Sequence, residues 1–214
     1  MNPKHSDTSV EHYTPSYIVE AAREALGGRI DLDPCSCEFA NRVVEAEKFY
    51  THRGQFQYWY GNMFVNPPGG LYDVMSGVMV YRKKKGRPSC GDTGLCGLPV
   101  GHTHLNKDVV SSAAYWWNLL SNSVEVGIVK RAIFIGFSIE IVATSQGQTE
   151  RNPLDYLHCV PRYRIPFDTN VEGERVSGSQ PTHNNIIVGL GDIDPQTFKN
   201  AFGSIGGVWK GERL

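Results

Sequence analysis

Asn62-Met63-Phe64-Val65-Asn66-Pro67-Pro68-Gly69-Gly70 is the stretch on which the fold turns. Met63-Phe64-Val65 has the length and content of a short buried strand. It stops at Asn66-Pro67-Pro68, because neither proline donates to a sheet ladder and each residue before a proline is pushed out of the α region. Gly69 and Gly70 then free the chain to turn sharply. The pattern predicts a rigid, kinked loop at the carboxyl end of a strand, where ligand sites of α/β sheets lie. A side-chain amide and the carbonyls of a Pro-Pro loop suit one task, accepting two hydrogen bonds from an exocyclic amine of a base. That holds the amine and makes its lone pair more available for attack. The plainer alternative is a Pro-Pro turn after a strand.

At 214 residues the chain is expected to be one domain, or one domain with an insertion. Its apolar and charged fractions are those of a globular protein. A net charge of −1 gives no global pull toward nucleic acid, so any basic footprint must be local. No apolar run approaches a membrane span, and Met1-Asn2-Pro3-Lys4-His5-Ser6 is no signal peptide. Five scattered cysteines argue against a disulfide framework. These features lead to the expectation of a soluble, cytoplasmic protein without a membrane partner.

Upstream, residues 1–12 read as a flexible polar arm. In Tyr13-Thr14-Pro15, Thr14 suits an N-cap and Pro15 the first helical position. Ile18, Val19, Ala22, Ala25 and Leu26 follow at helical spacing, and Gly27-Gly28 closes the helix. Ile30-Asp31-Leu32-Asp33-Pro34 reads as a short strand, with a helix from Ser36 or Cys37 to about Val44. An acid at a strand's carboxyl end, as Asp33 is, holds an ammonium or a ribose hydroxyl in many α/β sites, or simply makes an Asp-Pro turn. There is no Gly-x-Gly, hence no dinucleotide fingerprint.

Glu11-His12-Tyr13-Thr14-Pro15, Asp31-Leu32-Asp33-Pro34-Cys35-Ser36, Phe49-Tyr50-Thr51, Trp59 and Phe64-Val65-Asn66-Pro67-Pro68-Gly69-Gly70 occur in this order at close spacing. Taken together they resemble the phage-type DNA N6-adenine methyltransferase family, related to Dam. The likeness runs from about residue 11 to residue 191, across a divergent middle. It implies an α/β, Rossmann-like S-adenosylmethionine-dependent methyltransferase fold. That fold has a mixed, mostly parallel sheet flanked by helices, with an inserted loop region at residues 71–107 of a single domain spanning 13–214. It implies S-adenosylmethionine as cofactor, held near Tyr13, Thr14, Pro15, Asp33, Pro34 and Cys35. It implies double-stranded DNA as partner, with the target adenine extruded toward Asn66, Pro67 and Pro68. The family motif usually carries Tyr or Phe after Asn-Pro-Pro, and here Gly69 fills that slot. Another aromatic must then stack on the base, with Tyr13, Tyr72, Trp116 and Phe137 as candidates.

Within the insertion, Arg82-Lys83-Lys84-Lys85-Gly86-Arg87 is the dense basic run, suited to phosphates or to solvent. Cys90, Cys96, His102 and His104 are a candidate structural zinc set, although their spacing fits no common finger. A helix is expected from Lys107 or Asp108 to about Ser121, in which Trp116 serves packing or base stacking. Arg131 to Phe137 reads as a buried strand, with Ser138 capping the next helix. Short strands are expected at 157–161 and 163–167, then a surface loop or hairpin at 168–182. A strong strand follows at 186–190, and then a helix capped by Asp194 and ended by Gly203. Arg162 or Arg164 would meet DNA phosphates or form structural ion pairs. The rival readings are a cytosine-N4 methyltransferase, a DNA-binding protein without catalysis on the same scaffold, and a zinc nuclease built on the His-rich insertion.

Overall fold

The computed structural model describes residues 12–82, 88–89, 109–146, 151–178 and 183–211. Along the chain the elements are α1 (Ser16–Ala25), β1 (Leu32–Asp33), α2 (Glu38–Val44), β2 (Lys48–Phe49), β3 (Gly61–Val65), β4 (Leu71–Asp73), β5 (Met79–Arg82), β6 (Pro88–Ser89), β7 (Val109–Ser111), α3 (Ser112–Glu125), β8 (Val129–Gly136), α4 (Ile141–Gln146), β9 (Leu157–Pro161), β10 (Thr169–Val171), β11 (Glu174–Val176), β12 (Ile186–Gly191), α5 (Pro195–Phe202) and β13 (Gly206–Lys210).

The class is α/β, with a mixed, mostly parallel central sheet flanked by helices. Strand order is β13-β9-β12-β8-β3-β1-β2. β2, β1, β3 and β8 pair in parallel, whereas β12 lies antiparallel between β8 and β9, and β13 is antiparallel to β9. β9 therefore runs with the parallel strands, leaving β12 and β13 opposed to the other five. Alternation along each strand sorts its side chains between two cores. Phe64, Ile133, Ile135 and Ile187 pack against α1, α2 and α5, while Met63, Val65, Phe134 and Val188 pack against Trp116, Trp117 and Leu120 of α3.

The sheet order also locates a crevice. From β1 the chain moves outward to β2, then returns to the other side of β1 as β3. The direction of progression reverses between β1 and β3. At such a switch point the connections leave the strands in opposite directions and open a gap beyond their carboxyl ends. Asp33 ends β1, and Asn66 follows β3 directly.

Local chemistry explains most boundaries. Gly27 and Gly28 adopt φ of +86° and +93° after α1, a region that costs glycine nothing. The Cys37 thiol caps α2 by accepting from Ala40 N at 3.4 Å. Asp194 Oδ2 caps α5 by accepting from Thr197 N at 2.8 Å.

Four expectations shift. α1 takes Pro15 as its N-cap, which frees the Thr14 hydroxyl for another partner. α3 begins at Ser112, because β-branched Val109 and Val110 join a ladder with β4 and Ser111 caps the helix. Residues 163–167 form no strand, since Pro166 interrupts them and Ile165 N donates to the Asn185 side chain at 3.1 Å instead of to a ladder. Part of the expected inserted loop is a sheet of order β6-β5-β4-β7. β13 was not anticipated. It opens with Gly206, where a Cβ would lie 2.1 Å from Val160 O, so the close approach requires a residue that hides the strand signal. Among the described residues no helix is long and apolar enough to cross a membrane.

Candidate functional site

A cleft of about 1070 Å³ lies over the carboxyl ends of β1 and β3. Tyr13, Thr14, Asp33, Pro34, Cys35, Asn66, Pro67, Pro68 and Gly69 all line it. These residues come from three separated segments, which the reversal between β1 and β3 brings to one crevice.

Among the described residues the Asn66 side chain makes one hydrogen bond. Its Nδ2 donates to Thr14 Oγ1 at 3.0 Å across the cleft. This bond orients the amide and uses one of its two N–H donors. Asn66 Oδ1 accepts no hydrogen bond from the described residues, and neither does the carbonyl of Pro67. Two consecutive residues of the cleft lining thus carry acceptors without a hydrogen bond from the described residues, on a backbone stiffened by two prolines. The loop is pinned beyond them by Ser112 N, which donates to Gly70 O at 2.9 Å. Gly70 has φ of +113°, whereas a Cβ added to Gly69 would meet nothing within 4 Å.

Asp31 and Asp33 are both buried, but their surroundings differ. Asp31 accepts from Asn62 N at 2.7 Å and pairs with Arg29 Nε at 2.9 Å. Asp31 thereby fastens the start of β3. Among the described residues Asp33 pairs with no cation; Cys35 N donates to its Oδ1 at 2.9 Å. Burial pushes the Asp33 carboxyl up to about 7, with the Cys35 bond pulling weakly the other way. A cationic or hydroxyl-bearing ligand in the cleft would relieve that burial. Pro34 is covered by the loop at Gly54, where a Cβ would stand 1.8 Å from Pro34 O. Trp59 Nε1 donates to Gly54 O at 2.8 Å and fixes that lid of backbone.

The aromatic candidates divide sharply. Trp116 is 2% exposed and stacks on Trp59 at 5.7 Å and 8°, with Tyr72 and Tyr115 against its edges. Its rings pack against other aromatics, which favours the packing reading of Trp116 over base stacking. Phe137 is 36% exposed on the cleft wall, with His183 at 5.3 Å and His12 at 6.4 Å. Its position leaves a surface for a planar ligand. Pro15 stands apart from the other expected cofactor residues. It is buried at the start of α1, accepts from Ile18 N and Val19 N, and does not line the cleft. His12, assigned to the flexible arm, lines the cleft. Arg164 donates to Asn184 Oδ1 at 3.2 Å on the surface. The basic positions Lys83, Lys84, Lys85 and Arg87, the side chain of Arg82, and Cys90, Cys96, His102 and His104 lie outside the described residues. Among the described residues no cluster of metal-ligating side chains occurs.

The cleft contains groups that sequence reasoning missed. Ser112 is 3% exposed on its wall, and its hydroxyl has no hydrogen-bond partner among the described residues. The Trp116 indole N–H, one turn along α3, has none either. Arg175 reaches the cleft from the β10–β11 hairpin. A serine at a helix start and an arginine in a Gly- and Glu-rich loop carry no local mark of such a role. Only the tertiary placement singles them out. Compared with protein-family profiles, with curated proteins and with solved structures, the chain matches none of them.

Proposed function

We propose that the protein is an S-adenosylmethionine-dependent DNA methyltransferase of Rossmann-like fold that transfers a methyl group to the exocyclic N6 amine of adenine. One observation carries the reading. The Asn66 amide donates to Thr14 Oγ1 at 3.0 Å, while its Oδ1 and the Pro67 carbonyl accept no hydrogen bond from the described residues of the cleft. An exocyclic amine has two N–H bonds to give to such a pair. The order of the Tyr-Thr-Pro, Asp-Pro and Asn-Pro-Pro elements supports the same class by resemblance.

The residues fit the cofactor. The cleft volume is at the top of the range for small-molecule sites. Asp33, Pro34 and Cys35 would hold the ribose or ammonium end, with Tyr13 and Thr14 on the facing wall. When bound, S-adenosylmethionine supplies an electrophilic methyl group on a sulfonium. Asn66 Oδ1 and Pro67 O would each accept one amine hydrogen, which orients the nitrogen lone pair toward that methyl. The proton lost from the amine passes to water. Acceleration comes from positioning and from dipoles fixed before reaction. Reaching the amine requires the base to leave the duplex, with Phe137 as its stacking surface. The basic run after β5 would meet phosphates of double-stranded DNA.

The test is incubation of unmethylated DNA with labelled S-adenosylmethionine, followed by identification of the modified nucleoside. Asn66→Ala is expected to cut transfer by about 10²–10³-fold, the usual effect of removing one preorganised hydrogen-bonding group. Its cofactor affinity is expected to stay near that of the unaltered protein. Transfer that survives intact in Asn66→Ala removes the mechanism, and N4-methylcytosine as product would move the target to cytosine.

A further inference from the structure

Arg175 projects from β11, in a segment otherwise rich in solvent-exposed residues, yet its side chain is only 20% exposed. Its guanidinium lies over the Tyr13 ring at 5.5 Å and near the Phe39 ring at 5.7 Å. Those two rings pack on each other at 4.8 Å, so the cation rests on a preformed aromatic shelf. The hairpin base is tied to the same shelf. Tyr13 N donates to Asp168 O and Asp168 N donates to Tyr13 O, both at 2.8 Å. Arg175 is therefore part of the wall that carries Thr14, the residue bonded to Asn66.

Its charge is only half answered. The nearest anion is Asp168 Oδ2, 3.5 Å from Nε. Charge-assisted bonds of this kind normally close to about 2.7–2.9 Å. Nε and Nη1 are both buried without a hydrogen-bond partner among the described residues. A buried, unpaired guanidinium donor is costly, and an anion brought against the guanidinium from the cleft would lower that cost. Arg175 lines the cleft together with Asp33, whose carboxyl favours a cation or hydroxyl.

Resting on the methyltransferase reading, we infer that Arg175 is the carboxylate-binding residue for the amino-acid end of the cofactor. A carboxylate fits better than a DNA phosphate. The side chain is four-fifths covered and its guanidinium lies over the Tyr13 ring, a setting that suits a small anion better than the phosphates of a duplex.

Calorimetric titration of the full chain tests this with two ligands. S-adenosylmethionine carries the carboxylate; 5′-methylthioadenosine has the adenosine and sulfur without the amino acid. Arg175→Gln is expected to weaken S-adenosylmethionine by about 10–100-fold and leave 5′-methylthioadenosine within about twofold. Arg175→Lys, which keeps charge without the fork, is expected to fall between. A cofactor product amidated at its carboxyl should lose the same factor against the unaltered protein, which needs no folded variant. Equal weakening of both ligands would mean a collapsed wall and overturn the inference. So would unchanged cofactor affinity in Arg175→Gln, or a loss of DNA affinity alone, which would assign the residue to a phosphate; each of these leaves the proposed function standing. Failure of the unaltered protein to bind S-adenosylmethionine would remove both.

Discussion

The cleft and the antiparallel edge of the sheet treat buried polar groups in opposite ways. In the antiparallel edge, Asn185 uses both ends of its amide, accepting from Ile165 N at 3.1 Å and donating to Phe137 O at 2.8 Å. His158 Nδ1 lies 2.9 Å from Tyr156 O, and the Cys159 thiol points at Phe202 O at 3.8 Å. In the cleft, the Ser112 hydroxyl, the Trp116 indole and the Arg175 guanidinium carry unpaired atoms, and Asp33 is held near 7 by burial. Folded proteins pair nearly all buried polar groups, so a local concentration of unpaired ones marks a place completed from outside. The two regions share one sheet, and the difference lies in what each is finished by.

The sharpest way to break that contrast is to delete one polar side chain from each region. Asn185→Ala would strand two backbone groups in the core, a loss of about 1–3 kcal/mol and a fall in melting temperature of roughly 2–10 °C. Ser112→Ala removes a hydroxyl with no partner, so thermal stability should hold or rise slightly while ligand affinity falls. Equal destabilisation by both substitutions, measured by thermal unfolding, would erase the distinction.

Asp33→Asn probes the cleft side alone. A carboxyl raised from 3.8 to about 7 contributes stability that is complete below pH 3.8 and is lost as pH rises through 7. The unliganded variant should therefore melt higher than the unaltered protein at pH 8, by about 2–4 °C for each kcal/mol relieved, with the gap closing toward pH 4. Cofactor affinity should move the other way. It should drop about tenfold in the variant at pH 8, and it should fall in the unaltered protein as pH goes from 8 to 5.5 and Asp33 takes up its proton. A variant that is both less stable and unchanged in binding would make Asp33 a structural turn residue like Asp31.

The parallel half was the legible half. Met63-Phe64-Val65 announces a strand by composition, and Asn66-Pro67-Pro68 announces its end by backbone chemistry, so both signals are local. Asp33-Pro34 reads in the same way. The mixed α/β sheet was implied by the resemblance that such segments carry, whereas the partners of each side chain were not. Thr14 as an N-cap and Thr14 as the acceptor for Asn66 Nδ2 look identical in sequence; the choice depends on a residue 52 positions away. Trp116 and Phe137 are likewise both aromatics near apolar runs. Only the packing of Trp59 on one, and the open wall beside the other, separate them. Arg175 sits among Glu172, Gly173 and Glu174, a surface-loop composition, and becomes a cleft residue because Asp168 pairs with Tyr13.

Gly69 offers the smallest expected effect and the cleanest steric control. It is exposed, its φ lies outside the left-handed region, and a Cβ there enters open space at the cleft mouth. Gly69→Phe should therefore fold with stability changed by no more than about 0.5 kcal/mol. If an extruded base arrives beside Asn66, the new ring should tighten DNA binding by about 2–10-fold through stacking. Gly70, at φ of +113°, makes the comparison strict: Gly70→Phe forces a side chain into a conformation costing roughly 1–3 kcal/mol and should destabilise the loop. Weaker DNA binding by a fully folded Gly69→Phe protein would mean that Phe137 already fills the stacking place from the opposite wall. The glycine would then be what leaves room for the base between that ring and the Asn66 amide.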